Sequence, residues 1–195
     1  MPNESSPDNA GEPQYFVMAC DAVSPATMVQ RRTRWAGMPW MTGAVITAAD
    51  VPNPVVFEVD ADYPGELLAM YDDAIPIMRD DLLAVLRSAG VDNLQTFPAV
   101  VLEGGGKQRS DYKAVNIIGL VSAADTEQST FMEPAVDFLG ADFDSLVIDE
   151  EQTGGALLFR LAEASNAIVA HRSVRDRVEG TIRGMSFYGP GQWAG

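Results

Sequence analysis

Arg160 is the feature of this sequence that most limits how the chain can fold. It stands within an otherwise apolar run, residues 156–161, and is the only Lys or Arg between Lys113 and Arg172. Burying a guanidinium without a partner costs several kcal/mol, so a core strand that contains one needs a carboxylate beside it. We therefore expect a structural ion pair between Arg160 and an acidic residue of the same stretch, with a functional anion site as the alternative. The acidic residues of that stretch are Asp125, Glu127, Glu133, Asp137, Asp142, Asp144, Asp149, Glu150, Glu151 and Glu163.

The charge balance limits the kind of partner that the chain can bind. Its 195 residues include 13 basic and 28 acidic side chains, for a net charge of -15 at pH 7. Nucleic-acid binding relies on Lys and Arg side chains that displace counterions from phosphates, so this charge argues against it. A strongly negative field would instead steer a basic partner toward the protein. Solubility alone is the other explanation.

Length and segment composition predict one folded domain after a short tail. A core of this size can be built by a single domain, which we place at residues 14–195. Residues 1–13 are Pro, Ser, Asn and Gly-rich without an apolar anchor, so we expect a disordered tail. No run approaches the roughly 20 apolar residues that span a bilayer, and no secretory leader is recognisable. The single cysteine, Cys20, fits a reducing compartment, so we expect a cytoplasmic protein without membrane contact.

Apolar patterning predicts nine strands. Aromatic and β-branched content with loose alternation indicates the first, and Pro or Gly residues bound several of the others. Two segments, residues 21–43 and 125–139, lack a clear period and are expected to be connections, the second with a short helix. The predicted strands are residues 14–20, 54–60, 75–78, 94–102, 112–121, 145–149, 156–161, 167–170 and 185–188.

Two helices are expected between these strands. Asp80 and Asp81 precede apolar residues at helical spacing, and this pattern stops at Gly90. Carboxylates are favoured at the start of a helix, and a glycine is common just after its end. A second helix is expected from Ser173, because Ser173 and Asp176 have the spacing of a capping box.

The order of the elements predicts the fold class. Residues 77–96 and 169–187 each contain a strand, a polar cap, a helix with apolar residues four apart, a glycine and a second strand. This similarity suggests two related strand–helix–strand units. We predict an α+β fold, in which a few helices pack on a mixed, mostly antiparallel sheet.

Motifs for catalysis and for metal binding are missing from the sequence. His171 and Cys20 are the only residues of their types, and no phosphate-binding or nucleophile-elbow spacing occurs. We expect His171 to lie at a helix entry and to hydrogen-bond locally. Adjacent carboxylates such as Asp72 and Asp73 are too numerous in an acidic chain to single out, and we expect solvated turns. The sequence thus predicts neither an enzyme nor a cofactor.

Several segments together resemble a family of bacterial immunity proteins from polymorphic-toxin systems, first catalogued as a domain of unknown function. The similarity extends over most of residues 15–188 and lies in the order of the segments. Residues 189–195, GPGQWAG, depart from the family pattern. The segments are YKAVNIIGLVSAADTEQS (112–129), FDSLVIDEEQTGGALLFRLAE (143–163), AIVAHRSVRDRVEG (167–180) and, in general character, IPIMRDDLLAVLRSAGVDNLQTFPAVV (75–101).

The resemblance implies a cognate antitoxin, which is a cytosolic, non-enzymatic protein encoded beside a toxin that it binds and blocks. That role agrees with the acidic charge and with a toxin that has a basic surface. Enzymatic reversal of the toxin's modification is an alternative, and so is a ligand-binding or scaffold domain without a toxin partner.

An acidic turn with nearby aromatic anchors would form the toxin-binding surface. Trp35 and Trp40 stand in a basic and aromatic segment and could instead fill the core. The candidate toxin-binding residues are Asp142, Asp144, Asp149, Glu150, Glu151, Trp35, Trp40 and Trp193.

Overall fold

The computed structural model describes residues 12–21, 23–32, 40–72, 75–131 and 142–195. None of the helices within these ranges combines the length and the apolar character needed to cross a membrane. The strands are β1 (Tyr15–Cys20), β2 (Val29–Arg31), β3 (Val55–Val59), β4 (Met70–Tyr71), β5 (Ile77–Arg79), β6 (Leu94–Leu102), β7 (Gln108–Ile117), β8 (Leu120–Val121), β9 (Thr130–Phe131), β10 (Phe143–Ser145), β11 (Leu158–Leu161), β12 (Ile168–His171) and β13 (Met185–Tyr188), and the helices are α1 (Asp80–Ser88) and α2 (Arg172–Glu179).

The strands form two larger sheets and one small one. The five-stranded sheet has the order β13-β1-β12-β11-β8, the six-stranded sheet has the order β2-β3-β6-β7-β5-β4, and β9 pairs with β10. Pairing is antiparallel throughout except between β11 and β8 and between β3 and β6. The prediction of an α+β fold with mixed, mostly antiparallel sheets is confirmed.

Two strand–helix–strand units occur, and they share one topology. Helix α1 connects β5 to β6, and β7 lies between these strands, antiparallel to both. Helix α2 connects β12 to β13, and β1 lies between them in the same way. Each helix therefore crosses one intervening strand, and the units coincide with the two predicted from the sequence.

The buried side chains form three clusters. The first joins the two helices, because Leu82 and Leu86 of α1 share it with Val174 and Val178 of α2. Alternate residues of β1 and β7 reach into this cluster, while the residues between them face the other side of each sheet. The second cluster covers the far side of the six-stranded sheet and the third covers that of the five-stranded sheet.

Helix α2 begins differently from the prediction. The N-cap is His171, whose Nδ1 accepts the backbone N–H of Ser173 at 3.2 Å. The local hydrogen bonding expected of His171 is thus present, but Ser173 lies inside the helix and is not its cap. An imidazole nitrogen serves here as the side-chain acceptor that a helix start requires.

Two predicted strands have different boundaries. Residues 112–121 do not form one strand, because Gly119 adopts a φ of 93° between β7 and β8. The chain changes sheets there, and β8 pairs with β11. The strand predicted at residues 145–149 is mostly wrong, since β10 ends at Ser145 and Asp149 caps the 3-10 helix Glu150–Thr153 by accepting the Glu151 N–H at 3.0 Å.

The predicted connections and tail are described only in part. Residues 21–43 contain β2, and residues 125–139 contain β9. The short helix expected in the second connection does not fall within residues 125–131, and the remainder of that segment lies outside the described residues. Of the predicted tail, only Glu12 and Pro13 are described, and Glu12 forms an ion pair of 2.8 Å with Arg172.

Leu86 should be a main source of stability, because it is fully buried between the two units. We expect Leu86→Ala to lower the free energy of unfolding by about 2–5 kcal/mol, through lost burial and a residual cavity. Urea denaturation followed by circular dichroism measures this. Val45→Ala is the control, because Val45 is 68% exposed, and its effect should stay within roughly 0.5 kcal/mol. Similar effects of both substitutions would contradict the assigned core.

Candidate functional site

Two acidic loops meet directly after β8, the edge strand of the five-stranded sheet. Backbone hydrogen bonds from Asp125 to Val147 (2.9 Å) and from Asp149 to Ala123 (2.8 Å) hold two acidic loops together. The Glu163 carboxylate also accepts the Ala123 N–H, at 3.4 Å. We call this surface the acidic edge; its members are Asp125, Glu127, Asp142, Asp144, Asp149, Glu150, Glu151 and Glu163.

Backbone donors, not cations, hold several of these carboxylates in place. The Asp125 carboxylate accepts the Gln128 N–H at 3.0 Å, and this bond holds the pKa of Asp125 below its usual value. Glu150 accepts the Gln14 N–H at 2.6 Å. None of the eight members forms an ion pair with any residue that the structure describes. Within the described residues these carboxylates therefore lack a counter-charge, and five of them, Glu127, Asp142, Asp144, Glu150 and Glu151, are exposed.

The predicted aromatic anchors are placed very differently. Trp40 has no exposed surface and packs edge-on against Phe97, with ring centroids 5.4 Å apart. It cannot contact a partner, so its assignment as a toxin-binding residue is wrong, and it fills the core instead. Trp35 lies outside the described residues. Trp193 is half-buried in the C-terminal segment and remains accessible.

Arg160 forms the expected structural ion pair, but with a partner outside the predicted set. Its Nη2 lies 2.8 Å from Asp72 Oδ1, and its Nη1 donates to the Ser165 carbonyl at 2.5 Å. Arg160 is fully buried, whereas the Asp72 side chain is 20% exposed. Asp72 was expected in a solvated turn; the residue is exposed, but its carboxylate is engaged by Arg160. Asp73 lies outside the described residues.

A cavity of about 510 Å³ lies between the two larger sheets. One wall is the end of β1, and the opposite walls are residues 26–29 and residues 68–72. Tyr71 joins the last two walls, because its hydroxyl accepts the Leu68 N–H at 3.0 Å and donates to the Thr27 carbonyl at 3.1 Å. Trp193 closes one side. The volume lies within the range of ligand pockets, roughly 300–1,000 Å³.

The cavity lies beside the acidic edge, because one segment contributes to both. Trp193 lines the cavity, and its carbonyl accepts the Leu146 N–H at 3.3 Å. Gly195 and Phe143 exchange two backbone hydrogen bonds of 3.0 Å. The C-terminal segment therefore runs along β10, which carries the exposed Asp144.

Cys20 lies in the cavity wall and is 9% exposed. Burial raises the pKa of its thiol, because a thiolate would lose its hydration there. A thiol in this state is a poor nucleophile. His171 is far along the chain, caps α2 and contacts Tyr15 edge-on at 5.2 Å. Among the described residues, no three His, Cys, Asp or Glu side chains are grouped so that they could hold a metal ion.

The cavity residues were missed by sequence analysis. Asp21, Met28 and Asp72 come from separate loops and carry no motif, so only the fold brings them together. One signal was available, because a guanidinium inside an apolar run requires a carboxylate beside it. It could not show that this carboxylate lies 88 positions away.

Comparison with known proteins adds no relative. No protein-family model matches the chain, and no curated protein matches it significantly. The resemblance to immunity proteins therefore stays a prediction from the sequence, and a function has to be argued from the geometry.

Loss of either partner of the Arg160–Asp72 ion pair should lower the stability of the protein, but by different amounts. Asp72→Asn leaves a fully buried guanidinium without a counter-charge, so we expect a loss of about 3–5 kcal/mol in the free energy of unfolding. Arg160→Met leaves only a partly exposed carboxylate and should cost less, roughly 1–3 kcal/mol. The double variant should be more stable than Asp72→Asn. Chemical denaturation measures all three, and an equal or larger cost for Arg160→Met would contradict the assignment.

Cys20 should react slowly in the native protein. Because burial raises its pKa, less thiolate is present at a given pH, and access is limited as well. We expect alkylation by iodoacetamide at pH 8 to be well below the rate of the urea-unfolded chain, which is the control. Mass spectrometry measures the modified fraction, and equal rates in both states would show that the thiol is exposed.

Proposed function

We propose that this chain is a cognate immunity protein, which binds a co-encoded bacterial toxin in the cytoplasm and occludes the toxin's active site without chemistry of its own. The acidic edge is the observation that carries this proposal. Two acidic loops are joined by backbone hydrogen bonds directly after β8, and Arg160, the only Lys or Arg between Lys113 and Arg172 in the sequence, is fully buried.

Such a surface suits a basic partner for a physical reason. Charges that lack nearby counter-charges produce a potential that extends about 8–10 Å into physiological salt solution. This potential raises the encounter rate of an oppositely charged protein and orients it before contact. Carboxylates already fixed by backbone donors, such as Asp125 and Asp149, lose little side-chain freedom on binding.

A ligand-binding domain is the second candidate, and the cavity favours it. Ligand sites are concave, mostly apolar and contain a few polar groups, as this cavity does. The content of the neighbouring reading frame distinguishes the two candidate functions. A toxin-bearing reading frame immediately beside this one agrees with the first and has no place in the second.

Association with the product of the neighbouring reading frame tests the proposal. We expect the two proteins to co-purify, and we expect the association rate constant to fall as salt rises from low to physiological ionic strength. Asp144→Asn with Glu151→Gln removes two exposed charges from the acidic edge and should lower that rate about three- to tenfold at low salt. Stopped-flow fluorescence measures the rate.

The matched control removes the same charge elsewhere. Asp50→Asn with Glu103→Gln also raises the net charge by two, but these residues lie outside the acidic edge. This control should leave the rate close to that of the natural chain. If both double variants slow association equally, net charge and not the acidic edge accounts for steering. If the proteins do not associate, the proposed function is wrong.

A further inference from the structure

The cavity between the two sheets has the features of a receptor for part of a protein partner. Its wall is mainly apolar, and Met18, Met28 and Met70 contribute unbranched side chains that can adapt to an inserted group. Met28 is 52% exposed, so an apolar surface continues from the interior to the rim. Exposed apolar surface that leads into a cavity is typical of a binding site.

Among the described residues that line the cavity, the charged side chains are acidic. Asp21 and Asp72 are among the described residues that line it, and no Lys or Arg is among them. Asp72 is held by Arg160, whereas Asp21 is exposed at the mouth and accepts a hydrogen bond from the Tyr188 hydroxyl. An occupant with a positive charge near Asp21 would complement this arrangement.

The end of β1 offers a place for an extended backbone. Pairing with β12 covers Tyr15 to Val17, while pairing with β13 continues to Cys20. The cavity lies along this last part of β1, where registered pairing is on one side only. A partner segment in extended conformation can continue a sheet at such a position while its side chains enter adjoining pockets.

We infer that the cavity receives an extended segment of a protein partner in which one basic side chain is flanked by apolar residues. The basic side chain lies with its aliphatic stem along the methionines and its charged head beside Asp21. The apolar neighbours occupy the wall near Tyr71 and Trp193. This inference rests on the proposed function, because it identifies the part of the toxin that enters the cavity.

The connection to the acidic edge supports a protein as the occupant. Trp193 belongs to the cavity, while the strand hydrogen-bonded to its segment, β10, carries Asp144 of the acidic edge. A partner attracted by the acidic edge therefore has the cavity within the same contact surface. The cavity supplies the desolvated central anchor that tight interfaces require, and the acidic edge supplies the charged rim.

Three short peptides test this directly on the full chain. The probes are acetyl-Leu-Arg-Leu-amide, acetyl-Leu-Gln-Leu-amide and acetyl-Leu-Glu-Leu-amide, titrated while backbone amide and indole signals are followed by nuclear magnetic resonance. We expect shifts at Met18, Asp21, Met28 and the Trp193 indole. The arginine peptide should bind about threefold or more tightly than the glutamine peptide, as expected for a partly exposed ion pair, and the glutamate peptide should bind least.

Matched variants separate the charge from the shape. Asp21→Asn should abolish the preference for arginine over glutamine while it leaves binding of the glutamine peptide unchanged. Tyr188→Phe keeps the Asp21 charge and should keep the preference, as should Asp144→Asn, which lies outside the cavity. Asp21 is exposed, so its substitution leaves the core intact.

Several results would overturn the inference. Three of them concern the peptides: equal affinities for all three, shifts located away from the cavity, or no shifts at millimolar peptide. The fourth is a movement of the cavity signals on simple dilution, which would identify a second copy of the chain as the occupant. Failure of the proposed function can be distinguished from failure of this inference. If the peptides bind as expected but the neighbouring gene product does not, the proposed function alone fails. If that product binds equally well to Asp21→Asn, the inference alone fails.

Discussion

The ion pair between Arg160 and Asp72 connects the two larger sheets, and the arrangement of the surface depends on it. Arg160 belongs to β11 of the five-stranded sheet, and Asp72 follows β4 of the six-stranded sheet directly. A fully buried guanidinium is tolerated only beside its carboxylate, so the pair restricts how the sheets can be placed. It also removes the only cation of a long acidic stretch from the surface and sets Asp72 into the cavity wall.

Two features of the surface would act together in the proposed function. Exposed charges of the acidic edge would speed association with a basic partner while adding little affinity. The cavity would supply apolar burial that stabilises the complex once it has formed. The C-terminal segment joins them, because it pairs with β10 and presents Trp193 to the cavity.

Much of the fold could be predicted because its signals are local. Alternation and β-branched content located β1, β3, β6, β11, β12 and β13, and the spacing of apolar residues located both helices. The errors lie where a local signal was ambiguous. Gly119 changed the direction of an apolar run, and the carboxylate of Asp149 capped a 3-10 turn where a strand was expected. Trp40 was ambiguous as well, since an aromatic side chain serves a core and an interface equally well.

The sequence by itself determined both helices and most of the longer strands, the strongly negative charge and the requirement that Arg160 have a carboxylate partner. Each of these follows from residue type and from spacing over a few positions, within which backbone geometry is fixed. Only the tertiary structure decided which carboxylate pairs with Arg160 and which tryptophan is accessible: Trp40 is enclosed, whereas Trp193 is not. It also decided that residues from five separate segments line one cavity. Those facts depend on contacts between positions far apart in the chain, and such contacts leave no periodic trace in a single sequence.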